Sequence, residues 1–191
     1  MPKNWVEMRA ATIMSVPPND QGAQTLGIPV VEFLGELKSA GLNTLPGTAA
    51  EILDDEVRIV LCADKIRTRQ WLDVMRAAHS VGFRSTATIM FGHIETYQHW
   101  ARHLLRVRNL QCETGGFTEF VPLPFVHMEA PIYLKGRARP GPTYREAILM
   151  HAVARLALNP VIPNIQASGS SSGPKACAIA CRPASTISAA R

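Results

Sequence analysis

Thr114–Pro142 reads TGGFTEFVPLPFVHMEAPIYLKGRARPGP, and how this stretch is parsed decides the fold. Gly115-Gly116 breaks whatever helix precedes it, and Phe117, Phe120, Val121 and Leu123 give a buried-strand pattern, the strand running over Phe117–Val121. The chain then enters a long loop carrying Pro122, Pro124, His127, Glu129 and Pro131. Beyond it, Thr143 and Glu146 have the spacing of a capping box that opens a helix running to about Leu158. A strand that feeds a loop on a rigid scaffold is a common place for binding and catalytic groups.

The same alternation extends outward in both directions. Pro29–Ala40 places Val30, Phe33, Leu34 and Leu37 at helical spacing and stops at Gly41, and Leu42–Leu45 is a short strand before Pro46-Gly47. Thr48 as N-cap with Glu51 at N3 predicts a helix with Leu53, Val57, Val60 and Leu61 on one face. Thr68 caps the next, with Trp71, Val74, Met75 and Ala78 as its apolar stripe and Gly82 as its end. Arg84–Phe91, rich in Thr and Ile, is a strand leading to Gly92-His93-Ile94-Glu95. The helix from about Tyr97 to Thr114 buries Trp100, Leu104, Val107 and Leu110, and Ile162–Gln166 adds a last strand. Four strands alternating with five helices predict an α/β fold of parallel βαβ units, either an open sheet or about half of an eightfold barrel.

Composition narrows the class. The chain has 191 residues, 47% hydrophobic and 18% charged, which suits one globular domain with a real core. No apolar run reaches the roughly 20 residues of a membrane span, and Met1–Asp20 lacks the layout of a signal peptide, so the expectation is a cytoplasmic protein with no membrane partner. The net charge of +5 comes from arginines scattered over several helices, not from a basic block, which argues against nucleic acid. Ala167–Arg191 has no acidic or aromatic residue and no Leu or Val, and Met1–Gln21 has no helical period, so both ends are expected to be poorly ordered.

Cysteines stand at 62, 112, 177 and 181. Cys62 and Cys112 read as small buried hydrophobes. Cys177 and Cys181 have CxxxC spacing, but Ala184 stands where a third ligand would complete CxxxCxxC. Two thiolates do not hold a 4Fe-4S cluster, so no metal site is predicted.

Three segments carry a resemblance. Leu45–Arg58 (LPGTAAEILDDEVR), Ser85–Glu95 (STATIMFGHIE) and Thr114–Pro142 resemble the radical S-adenosylmethionine (SAM) enzymes that make the deazaflavin precursor FO. The likeness covers roughly Gly22–Gln166 and is nearest to the component that joins tyrosine to 5-amino-6-ribitylaminouracil. The first two segments are also similar to radical SAM enzymes of the futalosine route to menaquinone, the alternative assignment. The PLPFVHMEAPIYLKGRARPGP stretch favours the deazaflavin branch. The resemblance implies a partial (β/α) barrel of the radical SAM type. SAM and a 4Fe-4S cluster would be its cofactors, and tyrosine and 5-amino-6-ribitylaminouracil its small-molecule substrates.

The resemblance also implies three strands and a CxxxCxxC loop upstream of Gly22, which this sequence does not contain. The expectation is therefore a C-terminal barrel portion over 22–166, completed by an N-terminal half found elsewhere and inactive alone. Segment 1–21 is unmatched, and 167–191 is a low-complexity tail, disordered or out of frame.

Candidate site residues follow. Thr88-x-Met90-x-Gly92-x-x-Glu95 has the spacing of the radical SAM G-x-I-x-G-x-x-E motif, with Thr in place of the first Gly. The resemblance implies that Met90 packs on adenine and that Gly92 lets the cofactor approach, with Pro122 also on the cofactor side. His93, at a strand's carboxyl end, either meets substrate as a catalytic donor or proton relay or is a satisfied structural residue. Glu119 is expected to point away from Phe117 and Phe120, leaving Thr118 and Phe120 facing the helices, and to meet a substrate amine. Thr48 and Glu51 either face substrate or satisfy each other as a cap, and His127 and Glu129 either bind the ribityl chain or uracil or staple their loop. Arg137 and Arg139 are expected in solvent, and His99, Arg102, His103 and Arg106 on an exposed helical face.

Overall fold

The computed structural model of the chain describes residues 27–47 and 50–167. The expectations for both termini, and for Thr48, Cys177 and Cys181, lie outside the described residues. In chain order the elements are α1 (Val30–Ser39), β1 (Thr44–Leu45), α2 (Asp55–Leu61), α3 (Thr68–Ser80), β2 (Arg84–Phe91), α4 (Tyr97–Thr114), β3 (Phe117–Pro124), α5 (Pro131–Leu134) and α6 (Tyr144–Leu158). The strands form one parallel sheet in the order β1-β2-β3. The chain is α/β, as its alternating pattern implied.

One face of the sheet carries the core. Ala87, Ile89 and Phe91 from β2 and Phe117 and Phe120 from β3 pack with Trp71 and Met75 of α3, Trp100, Leu104, Val107 and Leu110 of α4, and Met150, Ala154 and Leu158 of α6. A second cluster joins α1 to α3 through Phe33, Leu34, Leu37, Leu45, Ala78 and Phe83. The alternate residues of the sheet, Thr86, Met90, Glu119, Val121 and Leu123, enter neither cluster. They form a second face that no described helix covers, and Leu123 on it is 39% exposed.

Strict alternation does not allow Phe117 and Phe120 to share a face. A register irregularity between Ser85 and Thr86 resolves this, because Ser85 is opposite Phe117 while Thr86 is opposite Glu119. Thr118, expected to face the helices, is the extra residue: it is exposed and donates from Oγ1 to Ser85 O at 3.2 Å. Glu119 consequently lies on the uncovered face, as expected.

Several expectations need correction. The helix expected from Thr48 begins instead at Asp55, with Asp54 as N-cap, its carboxylate accepting from Glu56 N at 3.2 Å. Glu51 is not at N3 of any helix; its φ of 44° places it in the left-handed region, which ends helical continuity there. Asp54-Asp55-Glu56 puts three acids at a helix start, where the macrodipole favours them. Thr68 is the first residue of α3 rather than its cap, and donates from both N and Oγ1 to Asp55.

Ile162–Gln166 forms only an isolated bridge at Ile165, opposite Phe120, and its hydrogen bonds are Phe120 N to Asn164 O and Gln166 N to Phe120 O. Pro160 and Pro163 withhold the donors a longer ladder needs. The described residues therefore contain three strands and six helices, not four and five. Cys62 is buried as expected, but Cys112 is exposed on α4.

Candidate functional site at the carboxyl ends of the strands

The turn after β2 is built around Glu95. Gly92 adopts φ 96°, open to glycine and strained for other residues, and a Cβ there would meet Pro142 at 2.3 Å. The Glu95 carboxylate accepts from Gly92 N at 2.6 Å, His93 N at 2.8 Å and Trp100 Nε1 at 3.0 Å. Burial opposes its ionisation, but the His93 side chain and these donors outweigh that cost and hold its pKa down to about 2. Arg139 lies 3.6 Å from Glu95, pairs with Glu146 at 2.9 Å and donates its backbone N–H to His93 O at 2.9 Å. The expectation of a solvated Arg139 is therefore corrected: it ties the turn after β2 to the loop before α6. Arg137 is exposed, as expected.

His93 is fully buried. Its Nε2 lies 3.0 Å from Met90 O, and its Nδ1 lies 2.7 Å from Ile94 N and 3.0 Å from the Glu95 carboxylate, so both ring nitrogens are engaged within the turn. Thr88 is buried and donates from Oγ1 to Gly47 O at 2.7 Å, fastening β2 to the end of β1. Met90 is half-buried on the uncovered face, and Pro122 is buried opposite Ile89, on the same side as Phe120.

Loop 50–54 lies against the same end of β2 through a bond from Met90 N to Glu51 O at 2.6 Å. The Glu51 carboxylate pairs with Lys65 at 2.6 Å, both side chains half-buried. Beneath the loop, Arg58 is fully buried and donates to the carbonyls of Ala50, Ile52 and Ile66. These carbonyls satisfy a guanidinium whose burial lowers its pKa.

The exposed face expected on α4 is corrected at His103, whereas Arg102 is exposed as expected. His103 is fully buried, with Nδ1 accepting from Leu53 N at 2.9 Å, while Arg102 and Arg106 pair with Asp54 and His99 with Glu56. Asp54, Glu56 and His99 present ligand-type atoms within 4.8 Å of one another. Arg102 and Arg106 already supply the counter-charge there.

The long loop after β3 borders a cavity of about 630 Å³ with the start of α6, and His127 lines it. Glu129 is exposed outside that lining. Glu119 belongs to a different place: it accepts from Gln166 Nε2 at 2.5 Å and lines a cavity of about 380 Å³ with Thr44, Pro46 and Thr86. Thr86 and Gly92 are separated by about 20 Å of strand, so His93 and Glu95 share one network and Glu119 stands apart from it. Sequence reasoning missed Arg58, Lys65 and the pairing of Arg139. No local spacing pointed to them: Arg139 pairs seven positions away with Glu146 and Lys65 fourteen away with Glu51, both beyond the reach of i,i+4 neighbours.

No family model matches the chain. Curated proteins do. The FO synthase of Mycobacterium leprae is 52% identical over 147 residues, which is 77% of this chain and 17% of that protein. The FO synthase of Nocardia farcinica is 54% identical over the same shares. The 5-amino-6-(D-ribitylamino)uracil--L-tyrosine 4-hydroxyphenyl transferase of Methanocaldococcus jannaschii is 48% identical over 161 residues, 84% of this chain and 45% of that protein. The chain is homologous to one portion of these FO synthases and of that transferase. It spans less than half the length of these relatives, so the FO synthase likeness concerns one portion of them.

Proposed function

We propose that this chain forms part of a radical SAM transferase that joins the 4-hydroxybenzyl group of tyrosine to 5-amino-6-ribitylaminouracil in FO biosynthesis. The observation that carries this reading is the 48% identity, over 84% of the chain, to a protein named for that transfer. The fold supports it: three parallel strands with helices on one side and an uncovered second side suit a segment of a (β/α) barrel whose interior is that second side.

In this reading Met90, half-buried on the uncovered side, is the surface for the adenine of SAM, and Thr88 and Pro122 shape the strands beside it. Glu95 holds Gly92 and His93 in the turn that borders the cofactor. His93 acts from within that turn by keeping its carbonyls and amides in place. Glu119 is the carboxylate of the uncovered side that meets an amine, Glu51, His127 and Glu129 border substrate from the loops, and Thr48 is assigned to substrate with them.

Bound SAM would supply a 5′-deoxyadenosyl radical, given a reduced 4Fe-4S cluster to cleave it. The cysteines of this chain do not fit such a cluster. Cys62 is buried, Cys112 is exposed on α4, and Cys177 and Cys181 number two where three thiolates are needed. We propose that the chain by itself is inactive.

A chimera tests the reading. Residues 27–167 of this chain replace the matching portion of the Methanocaldococcus transferase, and coupling of tyrosine to 5-amino-6-ribitylaminouracil is followed by mass spectrometry. Product formation is expected. A soluble, cluster-loaded chimera that couples nothing would overturn the proposal.

A further inference from the structure

The sheet is open at both ends. β1 has no strand on its outer side among the described residues. At the other end, residues 164–166 take a parallel bridge to Phe120 and two backbone hydrogen bonds, and their far side is equally without a partner strand among the described residues. With β2 and β3 this makes four parallel strand positions, half of the eight that close a parallel barrel around an interior filled by side chains. Because all four run the same way, a two-fold axis parallel to the strands brings a second copy into the same direction. Its β1 then lies beside residues 164–166 of the first copy, and the reverse holds at the second seam. Closure of that kind removes both free edges and encloses the uncovered face.

The helices at the two ends match in charge. Along the sheet they pack in the order α1, α3, α4, α6, so a closed ring places α1 of each copy beside α6 of the other. On α1, Glu32 and Glu36 are exposed, while the one lysine, Lys38, lies over the Phe83 ring. On α6, Arg145 is exposed and Arg155 half-buried, and the single acid, Glu146, is buried and paired with Arg139. An acidic flank at one end of the half-ring therefore meets a basic flank at the other. The carboxylate on the uncovered face, Glu119, brings its own partner in Gln166.

We propose that a second copy of this chain covers the uncovered face, the two half-rings closing about a two-fold axis along the strands. Area favours the closed ring over two sheets stacked face to face. β2 and β3 have eight residues each. Four strand positions of that length, at about 3.3 Å per residue and about 4.8 Å per strand, present roughly 500 Å² per copy at most. A standard stable interface buries about 800 Å² per partner. The two seams between α1 and α6 supply the difference, and stacked sheets would lack them. This pairing rests on the barrel reading of the fold proposed above and not on the coupling reaction.

Sedimentation equilibrium and native mass spectrometry of the full 191-residue chain at low salt test this. A dimer with no larger species is expected. Glu36 and Arg145 are both exposed, so reversing either charge leaves the core untouched. Glu36→Arg and Arg145→Glu are each expected to weaken the dimer about fivefold or more, because one substitution is felt at both seams. Carrying both in one chain restores opposite charges across each seam and is expected to recover most of the loss, which general destabilisation does not do. A monomer at all concentrations, its face covered by the chain's own ends, overturns the proposal, and so does open-ended association beyond the dimer. Single reversals without effect, or a double variant no better than either single one, overturn it too. The chimera's coupling activity enters none of these readings, so the two proposals fail separately.

Discussion

His79 is held between two hydroxyls, Thr114 Oγ1 at 2.7 Å and Ser85 Oγ at 2.8 Å, and its burial, with Arg84 nearby, pushes its pKa down to about 4. His103, fully enclosed beside Arg106 and Arg58, is pushed down to about 3. Both are bases that ionise less readily in the fold than in the unfolded chain. As pH falls below about 6.5 the unfolded chain binds their protons first, so their contribution is complete above that value and is lost on the way down to 4 and 3. Glu95 adds a lower window: its carboxyl, held near 2, contributes fully above about 4.5 and loses that contribution as pH falls toward 2. Urea unfolding from pH 7 to 4 is expected to show stability falling throughout. His79→Gln should remove roughly 3 kcal/mol of that fall, and an identical slope in the variant would show that His79 is not the titrating group. None of this was legible in the sequence, where His103 sits in the polar run of His99, Arg102 and Arg106. Its burial follows from a distant need, the Leu53 amide requiring an acceptor, and that partner is fifty positions away.

At the level of elements, local signals read well wherever the deciding contacts were local. β2 and α4 have the limits their patterns gave, and α6 opens at Thr143 because Thr143 and Glu146 satisfy each other's backbone donors. The same motif misled at Glu51, where residues 50 and 51 are bound instead to Arg58, Met90 N and Lys65, none of them within the motif's reach. The candidate site follows the same rule: the turn at Gly92–Glu95 was visible in its spacing, whereas the Arg139 clasp that locks it was not. The junction of α4 and β3 offers a sharp test of element packing. A Cβ at Gly116 would lie 2.1 Å from the His79 ring, which is itself anchored at both nitrogens and has no room to retreat. Gly116→Ala is therefore expected to cost about 3 kcal/mol by calorimetry or chemical unfolding, in the upper range of overpacking effects. A loss below about 0.5 kcal/mol would mean that the His79 bridge moves freely.

The whole molecule is asymmetric across its sheet. Helices α3, α4 and α6 bury one face in a continuous core, while Met90, Val121 and Leu123 leave an apolar strip on the other that no described helix covers. β1, two residues long, is an edge strand whose outer side has no partner among the described residues. The relatives are more than twice as long as the matched portion, and a sheet that continued in them would cover both features. In the isolated chain an apolar sheet face beside a free edge promotes association. Sedimentation velocity is accordingly expected to show concentration-dependent self-association, which Leu123→Lys should diminish because it puts a charge at the strip's exposed end without touching the core. Leu123 is a sound place for that charge: its partner across the strands is Met90, on the same uncovered face, and its backbone pairing is unaffected by the side chain. A chain that sediments as a monomer at all concentrations, or a Leu123→Lys variant that associates as strongly as the parent, would show that this face is already shielded by some other part of the polypeptide.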